Sequence, residues 1–188
     1  SGRGLLVLDL SDPAKPTYGD SYSMNITAES YDVFDVAVIG SYAYVALQRY
    51  SSEGEDLLVL DITNPTQPVY AGEHTRDSSV YVYEHIVASG DDVYIFSGYG
   101  EMILLNLFDP TKPATAGIHS VGFGSVYEVQ IYGNYLYTLN YRALLVFEIS
   151  NPTEFNIVGL YFYEFGFASS TDSLTIAGSY AYVTYYNQ

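Results

Sequence analysis

The sequence predicts an all-β chain assembled from four copies of one four-stranded unit, and three observations carry that expectation. A phrase LLVLDITNP, Leu57 to Pro65, recurs as LLVLDLSDP at Leu5 to Pro13, LLNLFDP at Leu104 to Pro110 and LLVFEISNP at Leu144 to Pro152. A second phrase alternates with it: GSYAYVAL from Gly40, GDDVYIFS from Gly90, GNYLYTLN from Gly133 and GSYAYVTY from Gly178. Within each copy, apolar residues alternate or run for four to seven positions and stop at Gly, Asn, Asp, Ser or Pro. That is strand patterning, and nothing keeps a 3.6-residue period for the length a helix needs.

The chain opens on Leu5 to Leu10 and Pro16 to Tyr22, read as the third and fourth strands of a unit. The first whole unit follows as Tyr31 to Ile39, Tyr42 to Leu47, Asp56 to Ile62 and Pro68 to His74. The same order is expected around Gly90 and Gly133, and the chain ends on first and second strands within DSLTIAG and YAYVTYY. In the SDP, TNP, FDP and SNP turns, Asp12, Asn64, Asp109 and Asn151 are placed to accept a local backbone hydrogen bond. The proline after each presets φ for a tight reversal.

Those prolines, Pro13, Pro65, Pro110 and Pro152, are spaced 52, 45 and 42 residues apart, the period of propeller blades. Four short antiparallel strands make one blade, and a blade buries both faces only by stacking on neighbours. The expectation is a single β-propeller domain over 1–188, with four blades, the last shared between 1–24 and 170–188. Pairing the N-terminal with the C-terminal strands closes the ring and removes two exposed edges. A four-repeat segment of a larger ring has the same phase.

Composition bounds the partners. With 48% hydrophobic and 15% charged residues in 188, the chain has enough apolar surface for a packed core. Twenty-two acidic residues against 6 basic ones give a net charge of −16. Nucleic acids and anionic membranes attract Lys and Arg, so the charge argues against both. A cation, a basic surface or a neutral glycan suits it better, and the excess also serves solubility. The absence of cysteine excludes disulfides, thiolate metal sites and cysteine nucleophiles. No run approaches the ~18 apolar residues of a membrane span, so membrane insertion is not expected. The abrupt start SGRGLL and end YYNQ read as those of a piece cut from a longer chain.

The succession of GSYAYV, LLVLDI and a TNPTQP or SDPAKP turn resembles the LVIVD repeat of bacterial and archaeal secreted or surface-anchored β-propeller proteins. The resemblance spans essentially the whole chain. The third copy departs from it as ILLNLFDP, and the fourth has Phe155 in place of its second proline. It implies an extracellular or cell-surface propeller with adhesive or scaffolding roles, and it brings no catalytic residues.

Aligned on the four glycines, one variable polar position stands five residues upstream and holds Asp35, His85, Glu128 and Ser173. First strands line a propeller's channel, so these side chains are expected to converge as a binding ring. Carboxylates there suit a structural calcium ion, whereas His85 suits a transition metal better. The other reading is a hydrogen-bonded polar plug, with Asp35 or Glu128 paired to His85 and no cofactor. Asp32, Glu84 and Asp172 are adjacent and could join either arrangement.

Tyrosine is the compositional outlier, with 22 copies. Tyr42 and Tyr44, Tyr135 and Tyr137, and Tyr180 and Tyr182 each present one side of a second strand, which fits packing between blades. The aromatic run from Tyr161 to Phe167 is a candidate protein or glycan contact. SGYGE and VGFGS read as turns, Asn25 to Thr27 as a sequon, and SSEGED as a solvated loop. His74 and His119 hold equivalent outer-strand positions, too far from the channel to join His85.

Function follows as an expectation: a non-enzymatic interaction or scaffold module binding a protein or glycan at the cell surface, other domains of its parent chain, or copies of itself. The alternatives are a glycan-directed hydrolase using Asp35 and Glu128 as paired carboxylates and a calcium-stabilised scaffold.

Overall fold

The computed structural model describes residues 4–23, 31–49, 56–75, 83–151, 154–163 and 173–184. The sequon Asn25 to Thr27, the loop Ser51 to Glu55, Pro152, Glu164 to Phe167 and Asp172 lie outside the described residues.

All described regular structure is antiparallel strand. β1 (Gly4–Asp9) and β2 (Thr17–Ser23) form a two-stranded sheet. β3 (Tyr31–Ile39), β4 (Tyr42–Arg49), β5 (Leu57–Asp61) and β6 (Val69–His74) form the first four-stranded sheet. The second contains β7 (Tyr83–Ser89), β8 (Asp92–Ser97), β9 (Glu101–Asn106) and β10 (Ala114–Ser120). The third contains β11 (Val126–Tyr132), β12 (Tyr135–Asn140), β13 (Ala143–Glu148) and β14 (Asn156–Phe162). β15 (Leu174–Ala177) and β16 (Tyr180–Val183) close the order as a second two-stranded sheet.

Turn chemistry repeats with the sheets. First and second strands meet through two-residue loops led by Gly40, Gly90, Gly133 and Gly178, with φ between 56° and 61°. The second loop residue has negative φ in every case, which makes these type II′ turns, whose first central position favours glycine. After each third strand, Asp12, Asn64 and Asp109 accept from the backbone N–H two residues on, as the sequence predicts. The carbonyl of each also accepts from the N–H three residues on, closing a four-residue turn, as does that of Asn151. A turn the sequence reading lacked precedes it: Asp9, Asp61 and Asn106 accept from Ser11, Thr63 and Phe108 N–H at 2.8, 2.8 and 2.7 Å. Hydrogen bonds from the Ser11 backbone and hydroxyl hold the Asp9 carboxyl below its ordinary range, and those from the Thr63 hydroxyl and backbone do the same for Asp61.

The three four-stranded sheets stack face to face, and the period of two sorts each central strand between two seams. Tyr44, Ala46, Leu57 and Val59 pack on Val93, Ile95, Ile103 and Leu105 of the second sheet. On the second sheet's other face, Tyr94, Phe96, Met102 and Leu104 meet Leu136, Ala143, Leu145 and Phe147 of the third. Ala43, Val45, Leu47, Leu58 and Leu60 turn the other way, toward Leu5 and Tyr22 of β1–β2. Leu139 and Tyr137 pack toward Leu174, Ile176 and Val183 of β15–β16. Strands buried on both faces read as apolar runs, which explains the uninterrupted LLVL phrases.

The seams hold polar contacts too. Tyr44 donates its hydroxyl to the Pro110 carbonyl at 3.2 Å. His74 reaches the Pro113 carbonyl through Nδ1 at 2.9 Å, and its burial pushes the imidazole below its ordinary value, opposed by that carbonyl. His119, the counterpart on β10, lies against Phe155 with ring centroids 5.4 Å apart.

The hydrogen-bonded sheets of the described residues include β1–β2 and β15–β16 as two separate pairs, not as one four-stranded sheet. In chain order the described residues give a half sheet, three complete sheets and a half sheet.

Candidate functional site

The first strands of the complete sheets carry a β-bulge at one equivalent place. Pairing shifts between Val33 and Asp35, between Tyr83 and His85, and between Val126 and Glu128. A bulge sets two residues opposite one and re-aims both side chains. The doubled residues are therefore Phe34 with Asp35, Glu84 with His85, and Tyr127 with Glu128. Together with Val126 they line a single open cavity of about 500 Å³, a size typical of small-molecule sites.

Three of the four predicted ring members, Asp35, His85 and Glu128, are thus brought together, and Glu84 joins them. Ser173 is not among the lining residues. It lies exposed just before β15, its N–H donating to Thr184 Oγ1 at 2.9 Å. The sequence offered no choice between the positions before and after each bulge. The bulge removes the choice by turning both toward the cavity.

Hydrogen bonding assigns the carboxylates to the backbone. Asp35 Oδ1 accepts from Val36 N–H at 2.8 Å, and Oδ2 from Ile86 N–H at 3.0 Å, so one side chain joins β3 to β7. Glu128 Oε1 accepts from Val129 N–H at 3.2 Å. Gln130, which the sequence reading passed over, repeats the bridging role: its Oε1 accepts from Ile176 N–H at 3.1 Å and ties β11 to β15. A first strand has an unpaired edge, and an acceptor from the neighbouring sheet satisfies amides that would otherwise need water.

Glu84 differs in kind. Burial raises its carboxyl above the ordinary range, with His85 opposing. Its carboxylate occupies the space that a side chain on Gly98 would fill, so a glycine there makes room for it. Ser125 closes the same region by donating to the Gly98 carbonyl at 2.7 Å. The VGFGS turn beyond it runs through three left-handed residues, Gly122, Phe123 and Gly124, at φ 69°, 57° and 78°. Buried Asn140 holds that turn by donating to the Gly124 carbonyl at 3.2 Å, while Thr138 Oγ1 donates to Asn140 Oδ1 at 2.8 Å. Phe123 is thereby presented at the surface, edge-on to Phe162 at 5.3 Å.

The cavity fits the calcium expectation poorly. Among the described residues no three His, Asp or Glu side chains are arranged to hold a metal. The polar-plug pairing of His85 with Asp35 or Glu128 is replaced by carboxylate-to-backbone bonds, with Glu84 as the acid that feels His85.

Among curated proteins none matches this chain. The crystal structure of the computationally designed Ika4 protein is similar, with a TM-score of 0.55 at 10% identity, over 87% of this chain and 96% of that one. The computationally designed Ika8 protein also gives a TM-score of 0.55, at 9% identity over 81% of this chain, which spans 42% of that protein's length. At such identity the likeness concerns the fold alone. The pattern of the LVIVD repeat matches residues 1–24, 32–75 and 123–162, leaving out the stretch that holds the departing third copy. The matched residues cover more than half of the chain, which therefore belongs to the LVIVD repeat family.

Proposed function

We propose that the chain is a non-enzymatic interaction or scaffold module of an extracellular or cell-surface protein. Its framework is a single closed β-propeller over 1–188 whose fourth blade is shared between 1–24 and 170–188. The observation that carries the non-enzymatic reading is the use of Asp35. Asp35 Oδ1 accepts from the Val36 amide of β3 and Oδ2 from the Ile86 amide of β7, so the side chain is engaged in holding two sheets together. The side chain acts as a staple between sheets.

The location follows from the repeat resemblance. Partners follow from charge and surface: a protein or a neutral glycan, other domains of the parent chain, or a copy of the chain itself. A net charge of −16 works against nucleic acid and anionic membranes. One observation favours the glycan-hydrolase alternative. Asp35, Glu84 and Glu128 share one cavity, and burial raises the Glu84 carboxyl, as an acid catalyst requires.

A panel of chromogenic α- and β-glycosides separates the two. The scaffold reading expects no turnover by the wild-type chain. Hydrolysis that disappears in Glu84→Gln and Glu128→Gln, both still folded by circular dichroism, would replace it with the hydrolase.

A further inference from the structure

We infer that β16 and β1 pair antiparallel within one molecule, Tyr182 opposite Val7, joining the half sheets into a fourth sheet. The inference rests on the closed-ring reading above and adds the register, the buried faces and the partner edge.

The repeat decides which faces are bare. Tyr44, Tyr94, Tyr137 and Tyr182 each stand four residues after the turn glycine. Tyr44 packs on the second sheet, Tyr94 on the third, and Tyr137 toward β15–β16, so each faces the sheet that follows. In a closed ring the sheet following Tyr182 is the first. Tyr182 is 60% exposed, whereas Tyr44 is 0% exposed.

β1 has the complementary deficit. Leu6 and Leu8 are the counterparts of Leu58 and Leu60, which face the preceding sheet. Leu58 and Leu60 are 7% and 0% exposed, against 58% and 50% for Leu6 and Leu8. Leu5 already packs on the first sheet and Val183 on the third, as their counterparts Leu57 and Val45 do on their own neighbours. Each half sheet thus covers one neighbour and leaves bare the face owed to the other.

Register transfers from the complete sheets. The second residue after the turn glycine lies opposite the last strand residue of the LLVLD phrase in all three: Tyr42 with Asp61, Asp92 with Asn106, Tyr135 with Glu148. None of these three pairings contains a shift. The same rule sets Tyr180 opposite Asp9, hence Tyr182 opposite Val7. Thr184 N–H bonds the Ser173 carbonyl at 3.0 Å. By antiparallel alternation Tyr182 N–H faces β15, and Ala181 and Val183 N–H face the open edge. Leu8 and Leu6 are their partners.

The chain has no cysteine, so paired cysteines report the register directly. Tyr182 and Val7 form a non-hydrogen-bonded pair, with Cα atoms about 4.5 Å apart in such pairs, within disulfide reach. The full chain carrying Val7→Cys with Tyr182→Cys, and separately Asp9→Cys with Tyr180→Cys, is oxidised beside a slipped pair, Leu5→Cys with Tyr182→Cys. Asp9 and Tyr180 are both exposed, so the second pair serves if the first fails to fold. The in-register pairs should lose their free thiols and remain monomers on a non-reducing gel, while the slipped pair keeps its thiols. An intramolecular bond in the slipped pair alone would overturn the register and leave the closed ring standing. Disulfide-linked dimers, or free thiols in all three, would overturn the ring as well, the dimers pointing to exchange between two copies.

Discussion

The phrase LLVLD occurs twice with the same five letters, as β5 in a complete sheet and within β1 in a half sheet, and the two copies end in different surroundings. In β5 its four apolar residues are buried, whereas in β1 burial alternates, with Leu6 and Leu8 exposed. Identical residues with identical strand propensity therefore differ only by the neighbour they have. An apolar run of this kind encodes a sheet covered on both faces, and β1 is covered on one. The lesson extends to tyrosine: Tyr44 and Tyr182 share a place in the repeat, yet one is sealed in a seam and the other faces outward.

The comparison breaks most sharply under truncation. Leu60→Ala in the first sheet should cost about 2–5 kcal/mol of unfolding free energy, as for other buried leucines. If the half sheets join, Leu8→Ala costs a similar amount in urea unfolding. If they stay apart, its effect falls within about 0.5 kcal/mol, as for exposed positions. A smaller contrast compares the two staples. Asp35→Ala, in the seam between complete sheets, removes a charge-assisted bond and should cost about 1.5–3 kcal/mol, while Gln130→Ala, in the seam onto a half sheet, should cost about 1 kcal/mol. Equal costs would mean that charge adds nothing to the staple.

Two further predictions concern protonation. Burial raises the Glu84 carboxyl, so the fold disfavours its charged form, and neutralisation should stabilise. Glu84→Gln is expected to raise the thermal midpoint at pH 7. That gain should vanish once pH falls below the ordinary carboxylate range, where the wild-type side chain is protonated in both states. The smallest effect belongs to His74, whose imidazole is held below its ordinary value, chiefly by burial. Its contribution is complete above about pH 6.5, the unfolded value, and is lost as pH drops from there toward the lower folded value. His74→Gln should flatten that segment of a midpoint-versus-pH curve.

The strands were legible because their signal is local. β3 runs from Tyr31 to Ile39 as the alternation predicts, and the II′ loops follow from one glycine per repeat. Asp12, Asn64 and Asp109 were legible for the same reason, each bonding an amide two residues away. The cavity was legible only in part. Asp35, His85 and Glu128 emerged from alignment, but Phe34, Tyr127 and the inward turn of Glu84 depend on bulges set by how each first strand pairs with its neighbour. The pairs Phe34–Asp35, Glu84–His85 and Tyr127–Glu128, which set two bulky residues side by side at one repeat position, are the trace that could have marked them. Gln130 and Asn140 left no trace, because their partners lie on other elements. Ser173 aligned with the ring but stands outside β15, where no bulge forms to turn it inward.

Amide hydrogen exchange, resolved by residue across β1 and β16, tests the central claim most directly. In the joined sheet the N–H groups of Leu6, Leu8, Ala181 and Val183 are bonded between the strands. They should exchange as slowly as those of Leu58, Leu60, Ala43 and Val45, whose sheet is complete. Free exchange at those four positions beside full protection at their counterparts would contradict closure of the ring by its own ends.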